Sequence, residues 1–495
     1  MTGPQTCSRR GTCCLALLSL LGSKVSFPGS TEYNSSLSSY FSQQETQVLP
    51  QCIVSPTSAA DVSTVVRALT STAALLGSSK EKAGCRFAVR SGGHMAMAGA
   101  ANINGGVTID LQSANDIDVS SDRATVAVGS GARWGEVYAK LDSLGLSVAG
   151  GRAAQVGVGG LTTGGGISYF SPRYGWTCDT VREFEVVLAD GSIVKASARE
   201  NSDLFAALCG GSGNFGVVTR VQLETFEQGL IWGGSVYHAT STIDDQLKAF
   251  TSVNSVDNYD KYASLITSFG FAGGQGSAVV NSVVYTKAVE NPPVFAGLIK
   301  IPSLLNTMRL DSMTNISLEQ GSFSPNGKRQ LSCVITHEST LPMLEAAYKQ
   351  WNKSVARVEN IADINWSLSL EPLPPAIYKR AKRPNSLGLS DRSRALVVTL
   401  LSASWTDATD DAKVQKAAQD LFDGIEKDAR ALGAYDPFVY LSYAASWQNP
   451  IASYGHDSVL KLREVQDKVD PNRVFTHMVP GGFKISDEQD GQRAA

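Results

Sequence analysis

The apolar positions in the first half of the chain predict short strands joined by glycine-rich turns and helices. Residues 86–89 and 107–111 are apolar runs of strand length, and SGGH stands between them at residues 91–94. Upstream, residues 51–76 have the pattern of a short strand, a proline turn and a helix whose apolar residues recur every three or four positions. Together these segments predict a βαβ-like opening.

The pattern continues as short elements up to about residue 226, where we place the end of a first domain that begins at residue 46. An Asp-Gly pair in residues 186–194 is typical of a hairpin turn. The other predicted elements are a strand at 124–129, a helix at 134–144, a helix at 203–209 and a strand at 217–223.

After residue 226 longer strands alternate with longer helices, which predicts a second domain over residues 227–435. This order favours an antiparallel sheet backed by helices, with its other face free to cover a flat ring. The fold class is therefore α+β. The predicted strands are 234–238, 276–285, 331–337 and 395–404, and the predicted helices include 244–253 and 411–431.

The segment 436–485 reads as a third unit that returns to the first domain. Residues 437–475 suggest a strand, a turn and a helix that stops near Asp470 and Pro471, because proline cannot continue a helix.

Composition narrows the class of protein. The 495 residues are 43% hydrophobic and 18% charged, which is ordinary for a globular chain long enough for more than one domain. A formal charge of −3 provides no basic surface, so neither a nucleic acid nor an anionic membrane is an expected partner.

Residues 1–24 have the charge-then-apolar order of a secretory signal peptide. The apolar run is too short to cross a membrane, since a spanning helix needs about 20 residues, and no later run reaches that length. A disordered extension is the alternative. Four Asn-x-Ser sequons agree with secretion and are candidate glycosylation sites: Asn34, Asn315, Asn352 and Asn365.

Removal of the signal would leave five cysteines, without a spacing that suggests a metal site. Cys52 begins a predicted strand and Cys85 immediately precedes the next one. We predict a disulfide between them, which would close a loop of 33 residues (85 − 52).

Two glycine-rich loops carry the candidate chemistry. SGGH at 91–94 and GVGGLTTGGG at 157–166 would allow backbone amides to approach an anion closely, because glycine has no Cβ. Each loop alone could also be a structural turn or a site of close packing. Since no GxGxxG opens a helix, a nicotinamide cofactor is not expected.

Four sequence motifs, which include these loops and follow one another in a fixed order, together resemble a known family. RSGGH at 90–94, VGVGGLTTGGGIS at 156–168, GNFGVVT at 213–219 and DPNRVF at 470–475 resemble the berberine-bridge-enzyme-like branch of the vanillyl-alcohol-oxidase flavoproteins. The resemblance implies a PCMH-type FAD-binding domain of two subdomains and a substrate domain. It also implies that His94 bonds covalently to the 8α carbon of FAD.

The resemblance further implies that the cofactor is contacted by residues of all three glycine-rich motifs. Besides His94 these are Arg90, Ser91, Gly92, Gly93, Gly99, Val156, Gly157, Gly159, Gly160, Thr163, Gly164, Gly165, Gly166, Gly216 and Val218.

Some positions depart from the family pattern. Ala153 stands where many relatives have a cysteine that forms a second flavin bond, which implies a single covalent link. Ser442 replaces the asparagine of the usual Tyr-x-Asn-Tyr, so the hydrogen bond of that side chain is in question. Val156 matches a position linked to oxygen access, and Tyr443, then Tyr440, are the candidate catalytic bases. A tyrosine base requires a lowered pKa.

These inferences predict a secreted FAD-dependent oxidase that transfers electrons from a small secondary metabolite to O2. An extracellular carbohydrate oxidase of the same fold is the alternative, and a tryptophan-rich groove built from Trp366, Trp405 or Trp447 would favour it. A flavin-binding protein without turnover is a third hypothesis, which the presence of His94 disfavours.

Overall fold

The computed structural model describes residues 11–75, 85–380 and 384–485. Within these ranges, no helix combines the length and apolar character needed to cross a membrane.

The first domain contains two sheets, as expected for two subdomains. The strands of the smaller sheet are β1 Val25–Ser26, β2 Cys52–Val54, β3 Phe87–Arg90 and β4 Val107–Asp110. Their order is β1-β2-β4-β3, with β2, β4 and β3 parallel. The helix Ala59–Leu75 follows β2, which confirms the predicted βαβ-like opening.

The second sheet and a separate two-stranded ribbon supply the other strands of this domain. These strands are β5 Ile117–Val119, β6 Thr125–Gly129, β7 Leu146–Ser147, β8 Val181–Val187, β9 Ile193–Ser197, β10 Val217–Glu224 and β11 Phe226–Glu227. The second sheet is antiparallel, with the order β5-β6-β10-β8-β9, and the ribbon pairs β7 with β11. The predicted hairpin between β8 and β9 is confirmed, and Gly191 takes φ 78° at the turn.

The large sheet of the second domain is antiparallel, as predicted. Its strands are β12 Ile231–His238, β13 Ala263–Ala272, β14 Gly276–Tyr285, β15 Leu305–Asn306, β16 Arg309–Asp311, β17 Arg329–Glu338, β18 Asn365–Leu373, β19 Leu396–Trp405 and β20 Tyr435–Asp436. Their order is β15-β12-β14-β13-β18-β19-β17-β20, and β16 also pairs with β12. The predicted helix 411–431 and strand 276–285 have the observed limits.

The two faces of this sheet belong to different cores. Cys333, Leu368 and Leu401 pack with the helices Leu341–Val358 and Asp411–Ala431. The alternate positions, such as Leu373 and Val398, pack with residues of the first domain. Successive side chains of a strand point to opposite faces, so odd or even position decides which core a residue joins.

The remaining elements are short or connect the sheets. The other α-helices are Thr12–Leu21, Thr31–Ser38, Gln43–Thr46, Trp134–Asp142, Val158–Thr163, Ser171–Tyr174, Ser202–Leu208, Ile243–Val253, Ala296–Ile299, Met313–Ser322, Pro375–Tyr378, His456–Val469 and Val474–His477. The 3-10 helices are Gly22–Lys24, Leu111–Ser113, Thr177–Thr180, Ser212–Asn214, Thr240–Thr242, Pro293–Phe295, Ala408–Asp410, Leu441–Tyr443 and Ala452–Tyr454.

The predicted disulfide between Cys52 and Cys85 is wrong. Cys85 bonds to Cys13 and Cys52 bonds to Cys14, both on the helix Thr12–Leu21. The sequence prediction failed because it assigned these two cysteines to a signal peptide that would be removed.

The helix Thr12–Leu21 instead packs in the first domain, where Leu17 is fully buried. Residues 12–24 of the predicted signal are thus part of the fold, and residues 1–10 lie outside the described ranges. A third disulfide, Cys178 to Cys209, ties the turn before β8 to the helix Ser202–Leu208.

The C-terminal unit differs from the prediction at one point. The expected strand around Tyr440 is a 3-10 turn over Leu441–Tyr443, followed by the predicted helix at His456–Val469. The turn contacts β17 and brings Tyr443 between the two domains.

Candidate active site

The two predicted glycine loops meet each other directly. A Cβ on Gly92 would lie 2.5 Å from the Cα of Gly157, and a Cβ on Gly157 would lie 2.3 Å from the amide nitrogen of Gly92. Ser91 Oγ donates to the carbonyl of Ser130 at 2.6 Å and accepts from the amide of Gly159 at 3.2 Å. The glycines are therefore required by contact between the loops.

His94 follows this junction and has a half-buried side chain. Its ring stacks on Phe41, with ring centroids 4.0 Å apart and planes inclined by 11°. Burial lowers the pKa of His94 to about 4, and the positive charge of Arg133 adds to the effect. The imidazole is consequently neutral at neutral pH, which leaves a nitrogen lone pair available for bonding.

Arg133 fastens the two loops together from the side. Its Nη2 donates to the carbonyl of Gly92 at 3.3 Å and its Nη1 to that of Gln155 at 3.2 Å. Arg133 was not predicted from the sequence, because an arginine before a helix has no distinctive pattern.

The segment before residue 46 forms a clamp over the loop that carries His94. Glu45 accepts hydrogen bonds from the amides of Gly99, at 2.8 Å, and Ala101, at 2.7 Å. Tyr40 donates to the carbonyl of Ala101, and the amide of Phe41 donates to that of Gly93. Because Glu45 is fully buried, burial raises its pKa to about 7 despite these hydrogen bonds.

Arg90, a predicted cofactor contact, is fully buried with protein partners. Its guanidinium donates to the carbonyl of Ser36 at 2.6 Å, to Ser39 Oγ at 2.8 Å and to Asp110 at 3.4 Å. The structure therefore gives Arg90 a role in anchoring the N-terminal clamp to the sheet beneath His94.

The second glycine block is shaped mainly by its protein neighbours. Gly165 and Gly166 adopt φ of 107° and 87°, and a Cβ on Gly166 would lie 2.5 Å from Thr177. A Cβ on Gly164 would lie 2.7 Å from Ser442 Oγ, so the residue that replaces the family asparagine faces the block. Only Gly160 of this block has open space on its Cβ side.

Two buried hydroxyls beside the glycine loops have no hydrogen-bond partner in the described chain: Ser130 Oγ and Thr177 Oγ1. Buried polar groups are normally satisfied, so these orphans fit a bound group with acceptor atoms. Together with the open Gly160 they are compatible with FAD at this junction. The other predicted contacts stay predictions. Thr163 donates to a carbonyl of its own helix, Gly216 packs on β8, and Gly99 donates its amide to Glu45. Val156 precedes the second loop, and Val218 lies on β10 opposite Val186.

A buried charged cluster lies where the second domain meets the first. Arg152 Nη2 is 2.7 Å from Glu371 Oε2, and their side chains are 9% and 4% exposed. The same nitrogen donates to Tyr443 Oη at 2.5 Å, and Tyr443 in turn donates to Glu371 at 3.3 Å. A tyrosine, a carboxylate and a cation thus share one hydrogen-bond network.

The environment of Tyr443 differs from the prediction. A cation is present, as the base hypothesis requires, but burial outweighs Arg152 and holds the pKa of Tyr443 well above its usual value. Burial also raises the pKa of Tyr440, whose ring meets that of Tyr443 edge-on at 4.8 Å. Both phenols are therefore neutral at neutral pH, and neither has the lowered pKa that a tyrosine base requires.

Burial alone would lower the pKa of Arg152, but the charge of Glu371 more than compensates and raises it. Arg152 therefore stays charged. Sequence reasoning missed both residues. A signal for Glu371 did exist, because it is the one acidic residue in the alternating strand β18.

The strand histidines of the large sheet lie away from this cluster. His238 and His337 bond to the Pro302 carbonyl and to Thr399 respectively, on the helix-covered face of the sheet. Trp366 and Trp405 are buried in the core on that same face.

The comparisons with known proteins agree with this arrangement. A family model described as an FAD binding domain matches residues 50–197. The chain is 36% identical over 487 residues to the FAD-dependent monooxygenase CTB5 of Cercospora beticola, which covers 96% of this chain and 92% of the relative. The chain belongs to the berberine-bridge-enzyme-like FAD-linked oxidoreductases. FAD is the cofactor of this family member, which confirms the resemblance read from its motifs.

A further relative is the oligopeptidase PhomG' of Diaporthe leptostromiformis, 44% identical over 466 residues. That match covers 93% of this chain but only 36% of the relative, so the chain corresponds to about a third of that protein.

Solved structures share the fold at low identity. 6-Hydroxy-D-nicotine oxidase from Arthrobacter nicotinovorans gives a TM-score of 0.75 at 21% identity, covering 94% of this chain and 98% of the other. Berberine bridge enzyme gives 0.70 at 17%, with 94% and 98% covered. These likenesses confirm the PCMH-type fold.

Proposed function

We propose that this flavoprotein is an oxidase that carries FAD on His94 through one covalent bond and oxidises or oxidatively cyclises a small secondary metabolite. The observation that carries the proposal is the Arg152, Glu371 and Tyr443 network, because it supplies a proton acceptor on the face that the second domain turns toward the His94 domain.

The covalent bond is supported by the state of His94. Its imidazole is neutral at neutral pH, and the loop that carries it is clamped on both sides by Glu45 and Arg133. Ala153 has no nucleophilic group, so a second bond is not expected at that position.

The proton path uses the chain's own groups. FAD, when bound, accepts two electrons from the substrate. A substrate hydroxyl transfers its proton to Tyr443 Oη while the phenolic proton passes to Glu371, and Arg152 holds both acceptors in place. This sequence avoids a free tyrosinate, which burial disfavours.

We also propose O2 as the electron acceptor. Val156 is half-buried beside the two loops, at the position that the family resemblance links to oxygen access. A small aliphatic side chain there leaves room for a diatomic molecule.

An oxidising, secretory compartment suits the molecule. Three disulfides and four exposed sequon asparagines, Asn34, Asn315, Asn352 and Asn365, are compatible with it.

The carbohydrate alternative rests on a fold that includes a xylooligosaccharide oxidase from Myceliophthora thermophila, at a TM-score of 0.76. Two of the three tryptophans that would support it, Trp366 and Trp405, are buried in the core, and only Trp447 is exposed. The relatives at 36% and 37% identity are named FAD-dependent monooxygenases, whereas the xylooligosaccharide oxidase is 18% identical, so the sequence comparison does not favour the carbohydrate alternative.

The test combines acid precipitation with peroxide detection. Yellow colour should stay in the wild-type pellet and leave the His94→Ala pellet, whereas the exposed His456→Ala control should behave as the wild type. Glu371→Gln should keep the bound flavin but lower kcat by about 10²-fold to 10⁴-fold, the usual contribution of a general base. Colour that leaves the wild-type pellet would reject the covalent bond, and an unchanged kcat would reject the proton path.

A further inference from the structure

The sheet face that carries Glu371 is unusually rich in serine. Ser367 and Ser369 precede Glu371 on β18 with the same side-chain direction, since residues two and four apart share a face. The register places Ser268 opposite Ser369, and Ser402 opposite both Ser367 and Ser332. Five serines on four adjacent strands thus form one continuous patch, the serine band: Ser268, Ser332, Ser367, Ser369 and Ser402.

The serine band retains unused hydrogen-bonding capacity. Ser268 and Ser369 bond to each other at 2.7 Å. Ser332, Ser367 and Ser402 are half-buried, and their hydroxyls form no hydrogen bond to a described residue. Three adjacent hydroxyls are therefore free to bind water or a ligand.

Apolar side chains border the serine band. Val280 and Leu400 extend the row of Ser268 and Ser369, and Val334 lies beyond Leu400. On this face the described parts of β13, β14, β17, β18 and β19 carry no aromatic residue, and the nearest ring is that of Tyr237 on β12, opposite Val280 at the far edge from Glu371. Small hydroxyl side chains with aliphatic neighbours form a shallow wall that suits a flat, oxygenated ring.

Geometry sets the size of the ligand. Ser369 and Ser367 lie ~7 and ~13 Å from Glu371 along the strand, at about 3.3 Å per residue. The cavity on the other side of Glu371, which Pro372 and Pro374 line, has a volume of about 30 Å³ and fits a water molecule but not a substrate. A substrate that donates its proton near Tyr443 therefore does not fit beyond Glu371 along β18, and the serine band lies in the other direction along that strand.

We propose that the serine band is the substrate-recognition wall and that it binds a flat aromatic substrate of several rings, through the phenolic or carbonyl oxygens on the ring edge. This proposal rests on the proposed function, because it takes the Glu371 end of the face as the reacting end.

The experiment measures binding by calorimetry, so it does not depend on turnover. The probes are 1,5-dihydroxynaphthalene, naphthalene and cellobiose, and the variants are Ser402→Val, Ser367→Val and the hydroxyl-retaining Ser402→Thr. Each valine should weaken dihydroxynaphthalene binding about 2-fold to 10-fold, the worth of one hydrogen bond, and leave naphthalene binding unchanged. Ser402→Thr and the exposed control Ser143→Val should bind as the wild type.

Flavin content is measured on every variant, which separates a failure of the proposed function from a failure of this proposal. Equal binding of dihydroxynaphthalene by the wild type and both valine variants would overturn the proposal. The same holds if the wild type does not prefer dihydroxynaphthalene to naphthalene, or if the valines weaken only cellobiose binding.

Discussion

The ion pair between Arg152 and Glu371 offers the sharpest test of the active-site geometry. Both side chains are at most 9% exposed, and 2.7 Å separates their charged atoms. Arg152→Met would leave the buried carboxylate with only the Tyr443 hydroxyl at 3.3 Å. A buried charge without its partner typically costs about 3–5 kcal/mol of unfolding free energy.

The double variant distinguishes pairing from general packing. Arg152→Met with Glu371→Leu removes both charges, and such replacements are often neutral or stabilising by ~1–4 kcal/mol. If the two residues acted independently, their single costs would add to about 6–10 kcal/mol instead. The expected coupling free energy is therefore several kcal/mol, far above measurement error.

Urea unfolding of the FAD-loaded protein, followed by far-UV circular dichroism and flavin fluorescence, measures this cycle. Lys195→Met is the matched control, because its ion pair with Glu183 is 59% and 32% exposed and should be worth at most about 1 kcal/mol. All three cluster variants should lose turnover. The double variant should keep its stability and still lose turnover, which distinguishes the effect on catalysis from the effect on folding. A double variant as unstable as the sum of the singles would refute the ion-pair assignment.

Three further predictions concern the first domain. Cys14→Ser should lower the free energy of unfolding by about 4 kcal/mol, because it removes a disulfide between residues 38 positions apart. Cys333→Ser removes no cross-link, because the Cys333 thiol is free, so it should not show this loss. Denaturant titration with and without reductant measures both. Burial raises the pKa of Glu45 from 4.5 to about 7. Between these two pH values the native state holds the Glu45 proton more tightly than the unfolded state does. The free energy of unfolding should therefore fall as the pH rises from about 4.5 to about 7. The total loss of unfolding free energy is ~3 kcal/mol, at 1.36 kcal/mol per pKa unit. Glu45→Gln should flatten the curve of unfolding free energy against pH. An unchanged slope in this variant would contradict the assignment of the effect to Glu45. Gly92→Ala should lower the covalently bound flavin several-fold, because its methyl would meet the facing loop backbone at 2.5 Å, while Gly213→Ala, whose methyl meets open space, should not. Pellet absorbance after acid precipitation decides between them.

The sequence by itself determined the features that depend on local pattern. Period-two and period-3.6 apolar spacing gave the strand 276–285 and the helix 411–431 their observed limits. The glycine motifs identified the family, because a position where two backbones touch can hold only glycine and is therefore visible in the sequence. Gly92 and Gly157 are such positions, since each contacts the backbone of the other.

Only the tertiary structure decided which distant residues act together. Arg152 and Glu371 are 219 positions apart, and neither has a neighbour in sequence that indicates the other. The N-terminal disulfides were mispredicted for the same reason: the local pattern of residues 12–24 suits both a leader and a buried helix, and only packing against the first domain distinguishes them. Glu45 likewise acts on a loop more than 50 positions away. Such contacts depend on how the chain folds back on itself, which local spacing does not encode.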